Sequence, residues 1–320
     1  MIALLAPGQG SQTPGMLTPW LDDPASEETL AEWSAATGLD LRRLGTTAAA
    51  DEITDTAVTQ PLIVAVTLIA AARLAARVEL PAAAPAAGHS VGELAAAAVA
   101  RVLSPGVAVT FAAARGREMA AACALEPTGM SAVLGGDSEE VLATLAKLGL
   151  DPANRNGAGQ IVAAGPVAAL AALAENPPER ARVVALPVAG AFHTRFMAPA
   201  EDALRAYAAG ISPTDPARPL LSNTDAAVVT DGTDALSRLV AQVTRPVRWD
   251  SCMAALRELG VTAVIELPPA GKLVGLVKRE LKGTAMLALK TPDDLDAAVD
   301  LINTHARDVH GARIDTGATR

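Results

Sequence analysis

Apolar residues in the first third of the chain fall into one short buried run and two long helical stretches. The N-terminal run MIALLA (1–6) is uninterrupted, which is typical of a strand covered on both faces. Residues 61–80 read as a long helix that ends before Pro81, and 105–123 as a helix that starts at a proline. This alternation predicts a parallel sheet with helices on both sides.

Around Gly129 the apolar segments become shorter and the residues between them more polar. Strand, helix, strand, strand, helix and strand are predicted in that order over 129–135, 137–150, 152–165 (two strands), 166–176 and 182–190. This order is that of a ferredoxin-like unit. We therefore expect a small ferredoxin-like domain at 125–191, inserted into a discontinuous large domain at 1–124 and 192–308, with a loose tail at 309–320.

Longer apolar segments, like those of the first third of the chain, return after the insertion. It predicts a helix at 197–209, a strand at 220–223, a helix before Pro246 and a strand, turn and helix within 261–281. The complete chain is thus expected to have an α/β fold, with a large parallel-sheet domain and a smaller inserted one.

Composition narrows the function classes. The formal net charge of −9 argues against non-specific binding to nucleic acid or to an anionic membrane surface. Cys123 and Cys252 are isolated, so neither a metal site nor a disulfide is expected. The longest apolar run, 61–72, is too short to cross a bilayer, and the N-terminus has no basic segment typical of a secretory signal. A cytoplasmic location is expected.

One short motif points to chemistry. Residues 88–92, Gly-His-Ser-Val-Gly, fit the G-x-S-x-G pattern, in which a serine sits at a tight turn between a strand and a helix. The helix N-terminus would face charge that develops near Ser90. The preceding residues are poor in β-branched side chains, so the strand itself is weakly predicted, and a chance match stays open.

A serine hydroxyl needs a base, and the chain has four histidines. His89 is adjacent to Ser90 and is expected to play a positioning role. His193 lies where the small domain rejoins the large one, which favours it as a cleft residue, while a satisfied structural histidine remains the alternative. His305 and His310 flank the polar tail and are expected to be solvent-exposed. The loop PGQGSQ (7–12) could bring a backbone amide to the serine.

These motifs together resemble a known family. PGQGSQ, GHSVGE, Arg115-Gly116, NRNGAGQIVAAG and GAFHT, in this order, resemble the malonyl-CoA:acyl carrier protein transacylases and the related polyketide synthase acyltransferase domains. The resemblance covers about residues 2–290. It implies an acyltransferase with an α/β-hydrolase-like large domain, no bound cofactor, and two substrates: malonyl-CoA, a CoA thioester, and the phosphopantetheine thiol of holo-acyl carrier protein, for fatty-acid or polyketide synthesis.

The resemblance also implies roles for individual residues. Ser90 corresponds to the acyl-accepting nucleophile and His193 to its base, with the histidine oriented by the backbone carbonyl of Gln242. The amides of Gln9 and Val91 correspond to the oxyanion hole. Three further correspondences are the substrate-carboxylate arginine at Arg115, which helical periodicity alone does not separate from Arg117, the residue that limits α-branched acyl groups at Phe192, and a cleft asparagine at Asn156.

Two other interpretations are kept. A serine esterase or thioesterase would pair Ser90 with an acid and a late histidine such as His305. A non-catalytic carrier-binding subunit would have the same fold without the activity. A carrier protein of this family is acidic, so its docking would need a basic strip. We expect that strip on a helix with four basic residues: Lys272, Lys278, Arg279 and Lys282.

Overall fold

The computed structural model describes residues 1–307, which form two β-sheets with helices packed around them. In this part of the chain, the first sheet has six strands: β1 (Ile2–Ala6), β2 (Ala86–Gly88), β7 (Leu220–Leu221), β8 (Val228–Val229), β9 (Ala263–Glu266) and β10 (Ala285–Ala288). The second has four: β3 (Thr128–Gly135), β4 (Asp151–Gly157), β5 (Gln160–Pro166) and β6 (Ala181–Ala185).

Helices occupy most of the remaining chain. Their bounds are α1 Pro24–Thr37, α2 Leu41–Thr46, α3 Thr56–Ala75, α4 Gly92–Val99, α5 Pro105–Cys123, α6 Ser138–Lys147, α7 Val167–Glu175, α8 Ala198–Ala208, α9 Gly232–Ala241, α10 Trp249–Glu258, α11 Lys272–Glu280 and α12 Leu295–Arg307.

The large sheet is parallel except at one edge. Its strand order is β10-β9-β1-β2-β7-β8, and within this sheet, as far as residues 1–307 show it, only the β7–β8 pair is antiparallel. Successive residues of β1 enter different cores: Ile2, Leu4 and Ala6 pack on one face, and Ala3 and Leu5 on the other. Because helices bury both faces, the strand is apolar throughout, as the MIALLA run predicts.

The small sheet has the topology expected of a ferredoxin-like unit. Elements β3, α6, β4, β5, α7 and β6 follow one another in the chain, and the sheet order is β4-β5-β3-β6 with every pair antiparallel. The α/β fold with a parallel core and a separate antiparallel sheet is thereby confirmed. All four strands fall within the 125–191 range, while the exact domain boundaries stay a prediction, and the tail expected at 309–320 lies outside the described residues.

The predicted helix at 61–80 is displaced in the structure. Helix α3 starts earlier, at Thr56, because the Asp55 side chain accepts a hydrogen bond from the Ala57 N–H (2.8 Å), and it ends at Ala75 with Pro61 inside it. By length and composition α3 could cross a membrane, but 72% of this stretch is buried inside the protein. It is thus the central core helix, packed against α5.

Candidate active site

Ser90 lies at a sharp turn between β2 and α4. Its φ of +54° falls in the left-handed region that non-glycine residues rarely adopt. A Cβ on Gly88 would lie 2.1 Å from the Gly92 carbonyl group, and a Cβ on Gly92 would lie 2.3 Å from the Ala6 carbonyl oxygen. Both glycines are therefore required for β1, β2 and α4 to approach so closely, which is the physical content of the G-x-S-x-G pattern.

A histidine from the other side of the insertion faces this serine. His193 Nε2 lies 2.7 Å from Ser90 Oγ, and His193 Nδ1 lies 2.8 Å from the Gln242 carbonyl oxygen. A carbonyl oxygen can only accept, so Nδ1 carries the proton and the Nε2 lone pair faces the hydroxyl. The backbone N–H of His193 also donates to the Val243 carbonyl oxygen (3.0 Å).

The surroundings of His193 keep it neutral. Burial, and then the nearby charge of Arg115, lower the pKa of His193 to about 3, although the hydrogen bond to Gln242 opposes the shift. A neutral imidazole with its lone pair on a serine hydroxyl can accept that hydroxyl's proton. The arrangement is that of a serine–histidine pair oriented by a main-chain carbonyl.

Arg115 supplies a buried positive charge beside the pair. It is only 2% exposed, its Nη1 donates to Gln60 Oε1 (2.7 Å) and its Nη2 donates to Ser90 Oγ (3.4 Å). Burial lowers the pKa of Arg115 to about 10, so it remains a cation at neutral pH. None of the ion pairs within residues 1–307 includes Arg115. A buried guanidinium without a carboxylate partner is an anion-binding group.

The structure separates Arg115 from its helix neighbour. Arg117, which periodicity leaves as an equal candidate, is exposed and pairs with Glu118 at 3.0 Å. Among the two, Arg115 alone contacts the serine.

Ser90 and His193 open into a cleft of about 560 Å³ between the two sheets. One wall comes from the loop after β1 and includes Gln9, and a second comes from β4 and includes Asn156. Helix α11 contributes Lys272 and Arg279 at a third side. Phe192, next to His193 and only 6% exposed, also lines the cleft.

His89 links the serine turn to the small sheet. Its Nε2 lies 2.9 Å from Asn156 Oδ1, and its ring packs against Trp249 with 5.6 Å between centroids. Burial lowers the pKa of His89, so this ring too is neutral at neutral pH. The geometry agrees with a positioning role, because its hydrogen bonds run to Asn156 and, through its backbone N–H, to the Ala6 carbonyl oxygen.

Two backbone N–H groups near Ser90 are uncommitted. Within residues 1–307, neither Gln9 nor Val91 donates a backbone hydrogen bond to another protein group. The loop that carries Gln9 packs against the turn, since a Cβ on Gly8 would lie 2.5 Å from the His89 carbonyl oxygen. One free donor thus follows Ser90 in the chain and the other lies on the facing loop, an arrangement suited to an oxyanion.

Three buried polar residues of the site were assigned no role from the sequence, although one of them, Glu93, ends the GHSVGE motif. Gln60 holds Arg115, Asn223 contacts the backbone at Ser90, and Glu93 accepts a hydrogen bond from the Asn223 N–H (2.7 Å). The other two also had a signal: Gln60 interrupts an apolar helix, and Asn223 follows a short strand of the parallel sheet, where ligand-facing residues collect.

Glu93 makes folding stability depend on pH. Burial raises the pKa of Glu93 to about 8, so between pH 4.5 and 8 the folded protein keeps a proton that the unfolded chain releases. Stability therefore falls as pH rises through this window, by up to about 1.4 kcal/mol per pH unit. We expect Glu93→Gln to unfold at a higher urea concentration than the wild type at pH 8, with the difference shrinking towards pH 5.

The exposed Glu258 provides the matched control, because Glu258→Gln makes the same carboxyl-to-amide change at the surface. If the urea midpoints of the wild type and Glu93→Gln differ by the same amount at pH 5 and at pH 8, the buried-carboxyl explanation is contradicted.

Within residues 1–307, one histidine lies away from the site. His305 was expected to be exposed beside the tail, but it is half-buried on α12 and its Nδ1 lies 2.7 Å from Thr262 Oγ1. Thr262 precedes β9 and Ser90 follows β2, so the two residues occupy opposite ends of the same parallel sheet. The pairing of Ser90 with His305 is thus wrong, and His310 lies outside the described residues.

A metal centre finds no support in the described chain. Residues 1–307 contain no group of three or more histidine, cysteine, aspartate or glutamate side chains placed to hold an ion. Cys123 is half-buried and Cys252 is buried, and both are free thiols.

Comparisons with known proteins place this geometry in context. The chain matches the acyl transferase domain family over residues 4–313. It is 61% identical over 302 residues to the malonyl CoA-acyl carrier protein transacylase of Mycobacterium tuberculosis (strain ATCC 25618 / H37Rv), across 94% of this chain and 100% of that protein.

Solved structures give the same result. The crystal structure of MCAT from Mycobacterium tuberculosis superposes with a TM-score of 0.90 at 60% identity, over 93% of this chain and 99% of that one. A malonyl-transacylase in complex with its type II PKS acyl-carrier protein superposes with a TM-score of 0.86 at 30% identity, over 93% and 99% of the two chains.

Proposed function

This chain belongs to the malonyl CoA-acyl carrier protein transacylases, and we propose that Ser90 carries the malonyl group between the two thiols in a ping-pong reaction. The family membership makes it an acyltransferase. The observation that supports the finer mechanism is the 2.7 Å contact between Ser90 Oγ and the lone-pair nitrogen of His193.

In the first half-reaction, Ser90 Oγ attacks the thioester carbonyl carbon of malonyl-CoA. His193 Nε2 accepts the hydroxyl proton as the Oγ–C bond forms. The carbonyl oxygen becomes an oxyanion, which the uncommitted N–H groups of Gln9 and Val91 stabilise. The C–S bond then breaks, and the CoA thiolate takes the proton from His193, so that malonyl-Ser90 and free CoA result.

The second half-reaction reverses these steps with a different thiol. The phosphopantetheine thiol of holo-acyl carrier protein gives its proton to His193 Nε2 and attacks the ester carbonyl carbon. The Oγ–C bond breaks, and the proton returns to Ser90 Oγ. One imidazole therefore serves as base and acid in both directions, which its neutral resting state allows.

The choice of a malonyl group follows from Arg115. The free carboxylate of malonyl would accept two hydrogen bonds from the guanidinium and replace its present contact with Ser90. An acetyl group offers no such charge. Phe192, beside His193 in the cleft, would restrict the space for an α-methyl branch, a preference worth about 1–3 kcal/mol.

The decisive experiment follows the acyl group by mass. The protein is mixed separately with malonyl-CoA, acetyl-CoA and methylmalonyl-CoA, and intact mass and peptide mapping are recorded before and after addition of holo-acyl carrier protein. A malonyl adduct on the peptide containing Ser90 that passes to the carrier thiol is expected. Free malonate without transfer would indicate a hydrolase instead, and no adduct at all a non-catalytic subunit.

Two basic residues of α11 belong to the wall of the cleft that holds Ser90. Of the four predicted for the basic strip, Lys272 and Arg279 line the cleft, whereas Lys278 and Lys282 are exposed but are not among its lining residues. CoA and the phosphopantetheine arm both carry phosphate, and both must enter this cleft to reach Ser90. We therefore propose that Lys272 and Arg279 contact these phosphates.

This placement yields a prediction for the substrate affinity. Arg279→Ala is expected to raise the KM for malonyl-CoA about two- to fivefold at low salt, since an exposed charge pair is worth about 0.2–1 kcal/mol. The effect should shrink at high salt. Lys278→Ala, one residue away and outside the cleft, is the control, and equal KM changes in the two variants would argue against a phosphate contact at Arg279.

The biological setting is proposed on the same premise. Malonyl groups delivered to a carrier protein would feed fatty-acid or polyketide synthesis. The cytoplasmic location expected from the sequence stays a prediction.

A further inference from the structure

We propose that Asn223 is a positioning residue that fixes the Ser90 peptide in its reactive conformation; this inference rests on the function proposed for Ser90. The amide group of Asn223 holds the turn on both sides of His89. Its Oδ1 accepts the Ser90 N–H (2.8 Å), and its Nδ2 donates to the Gly88 carbonyl oxygen (2.6 Å). Asn223 is fully buried.

The Asn223 residue is itself held by its main chain. Its backbone N–H donates to Glu93 Oε1 (2.7 Å), and its carbonyl oxygen accepts the Arg248 N–H (2.8 Å). Glu93 lies on α4, where its own N–H donates to the Ser90 carbonyl oxygen (2.9 Å). Ser90, Glu93 and Asn223 thus form a closed ring of hydrogen bonds from the end of β7 to the serine turn.

Such a ring is needed because the Ser90 backbone is unfavourable on its own. A φ of +54° places a non-glycine residue in a sparsely populated region, which persists only where the surroundings determine it. Relaxation of this turn would move Ser90 Oγ away from His193 Nε2, now at 2.7 Å. The Asn223 hydrogen bonds therefore couple the nucleophile's position to the sheet.

The same contact decides which amide is free for catalysis. Because the Ser90 N–H donates to Asn223 Oδ1, it is not available to an oxyanion. The N–H groups of Gln9 and Val91 are left for that role. An asparagine suits the position since its Oδ1 accepts and its Nδ2 donates to the Gly88 carbonyl oxygen and, at 3.8 Å, to Cys252 Sγ; an aspartate keeps the acceptor for the Ser90 N–H but loses both donated contacts.

Single-turnover malonylation of Ser90, followed by intact mass over a range of malonyl-CoA concentrations, tests the proposal. Asn223→Ala is expected to lower the maximal acylation rate by about 10–100-fold, as an ångström-scale displacement of a reacting group does. The concentration that gives half the maximal rate should change less than about twofold, because Asn223 is not among the residues lining the cleft. Asn223→Asp should recover part of the rate.

The controls separate positioning from simple destabilisation. Ser222→Ala removes a buried polar group from the adjacent position, 3% exposed, and its maximal rate should match the wild type. If Asn223→Ala does not fold, Asn223→Asp, of nearly the same size, gives the deciding rate. Wild-type rates in the folded Asn223 variants, or equal losses in Ser222→Ala, would overturn the positioning role. Failure of the wild type to acylate Ser90 would instead overturn the proposed function.

Discussion

Ser90→Ala is expected to form no malonyl adduct and to lower malonyl transfer to carrier protein by about 10⁴-fold or more. The substitution removes the oxygen that forms the ester, while Arg115 and the cleft are left in place to bind malonyl-CoA. Dissociation constants for malonyl-CoA should therefore stay within a few-fold of the wild type. Intact mass and a transfer assay with holo-carrier protein measure the first two quantities, and calorimetric titration measures the third.

Substitution of His193, the base that faces Ser90, gives the internal control for the Ser90→Ala result. His193→Ala keeps the Ser90 hydroxyl but removes its base, which is expected to slow acylation by about 10²–10⁴-fold. Since the two residues act on one proton, the double variant should be no slower than Ser90→Ala. A malonyl adduct in Ser90→Ala, or a His193→Ala variant at the wild-type rate, would remove the basis for the serine–histidine mechanism.

The elements that were predicted correctly have either an unbroken apolar run or a clear helix-start signal. β1 is apolar at every position because both faces are covered, and α5 matches the predicted 105–123 because Ser104 and Pro105 start it. The final helix α12 was missed, although Leu295, Ala298 and Ile302 are buried at helical spacing. Strand β10 is a half-exposed four-residue edge strand, too short for alternation to identify it.

The site was predictable only as far as the motifs extend. Strand β2 is three residues long and composed of alanine and glycine, so its strand character comes from pairing with β1 and β7 rather than from propensity. Asn223 is 133 positions away from Ser90 in the sequence, and the two residues meet only because β2 and β7 are neighbours in the sheet. Such contacts depend on sheet order, which no local pattern encodes.

Arg115→Gln is expected to lower the kcat/KM for malonyl-CoA by about 10²–10³-fold, because a malonyl carboxylate would then be buried without its counter-charge. Acetyl-CoA loses no such contact, so the preference for malonyl over acetyl should nearly disappear. The exposed Arg117→Gln, two positions along the same helix, is the control for the lost charge. Retention of the malonyl preference in Arg115→Gln would contradict the carboxylate role.

The same variant should change the pH dependence of acylation. The charge of Arg115 helps to hold the pKa of His193 down at about 3, and the neutral, proton-accepting imidazole exists only above that pKa. Without the guanidinium the pKa of His193 rises, so the loss of activity on acidification should begin at a higher pH than in the wild type. Acetyl loading measured from pH 2 to 8, a range that includes the wild-type limb near pH 3, isolates this effect, since an acetyl group has no carboxylate to pair with Arg115. An unchanged acid limb would mean that burial alone sets the basicity of His193. A shifted limb would mean that Arg115, which we propose selects the acyl group, also lowers the pKa of the base that transfers it.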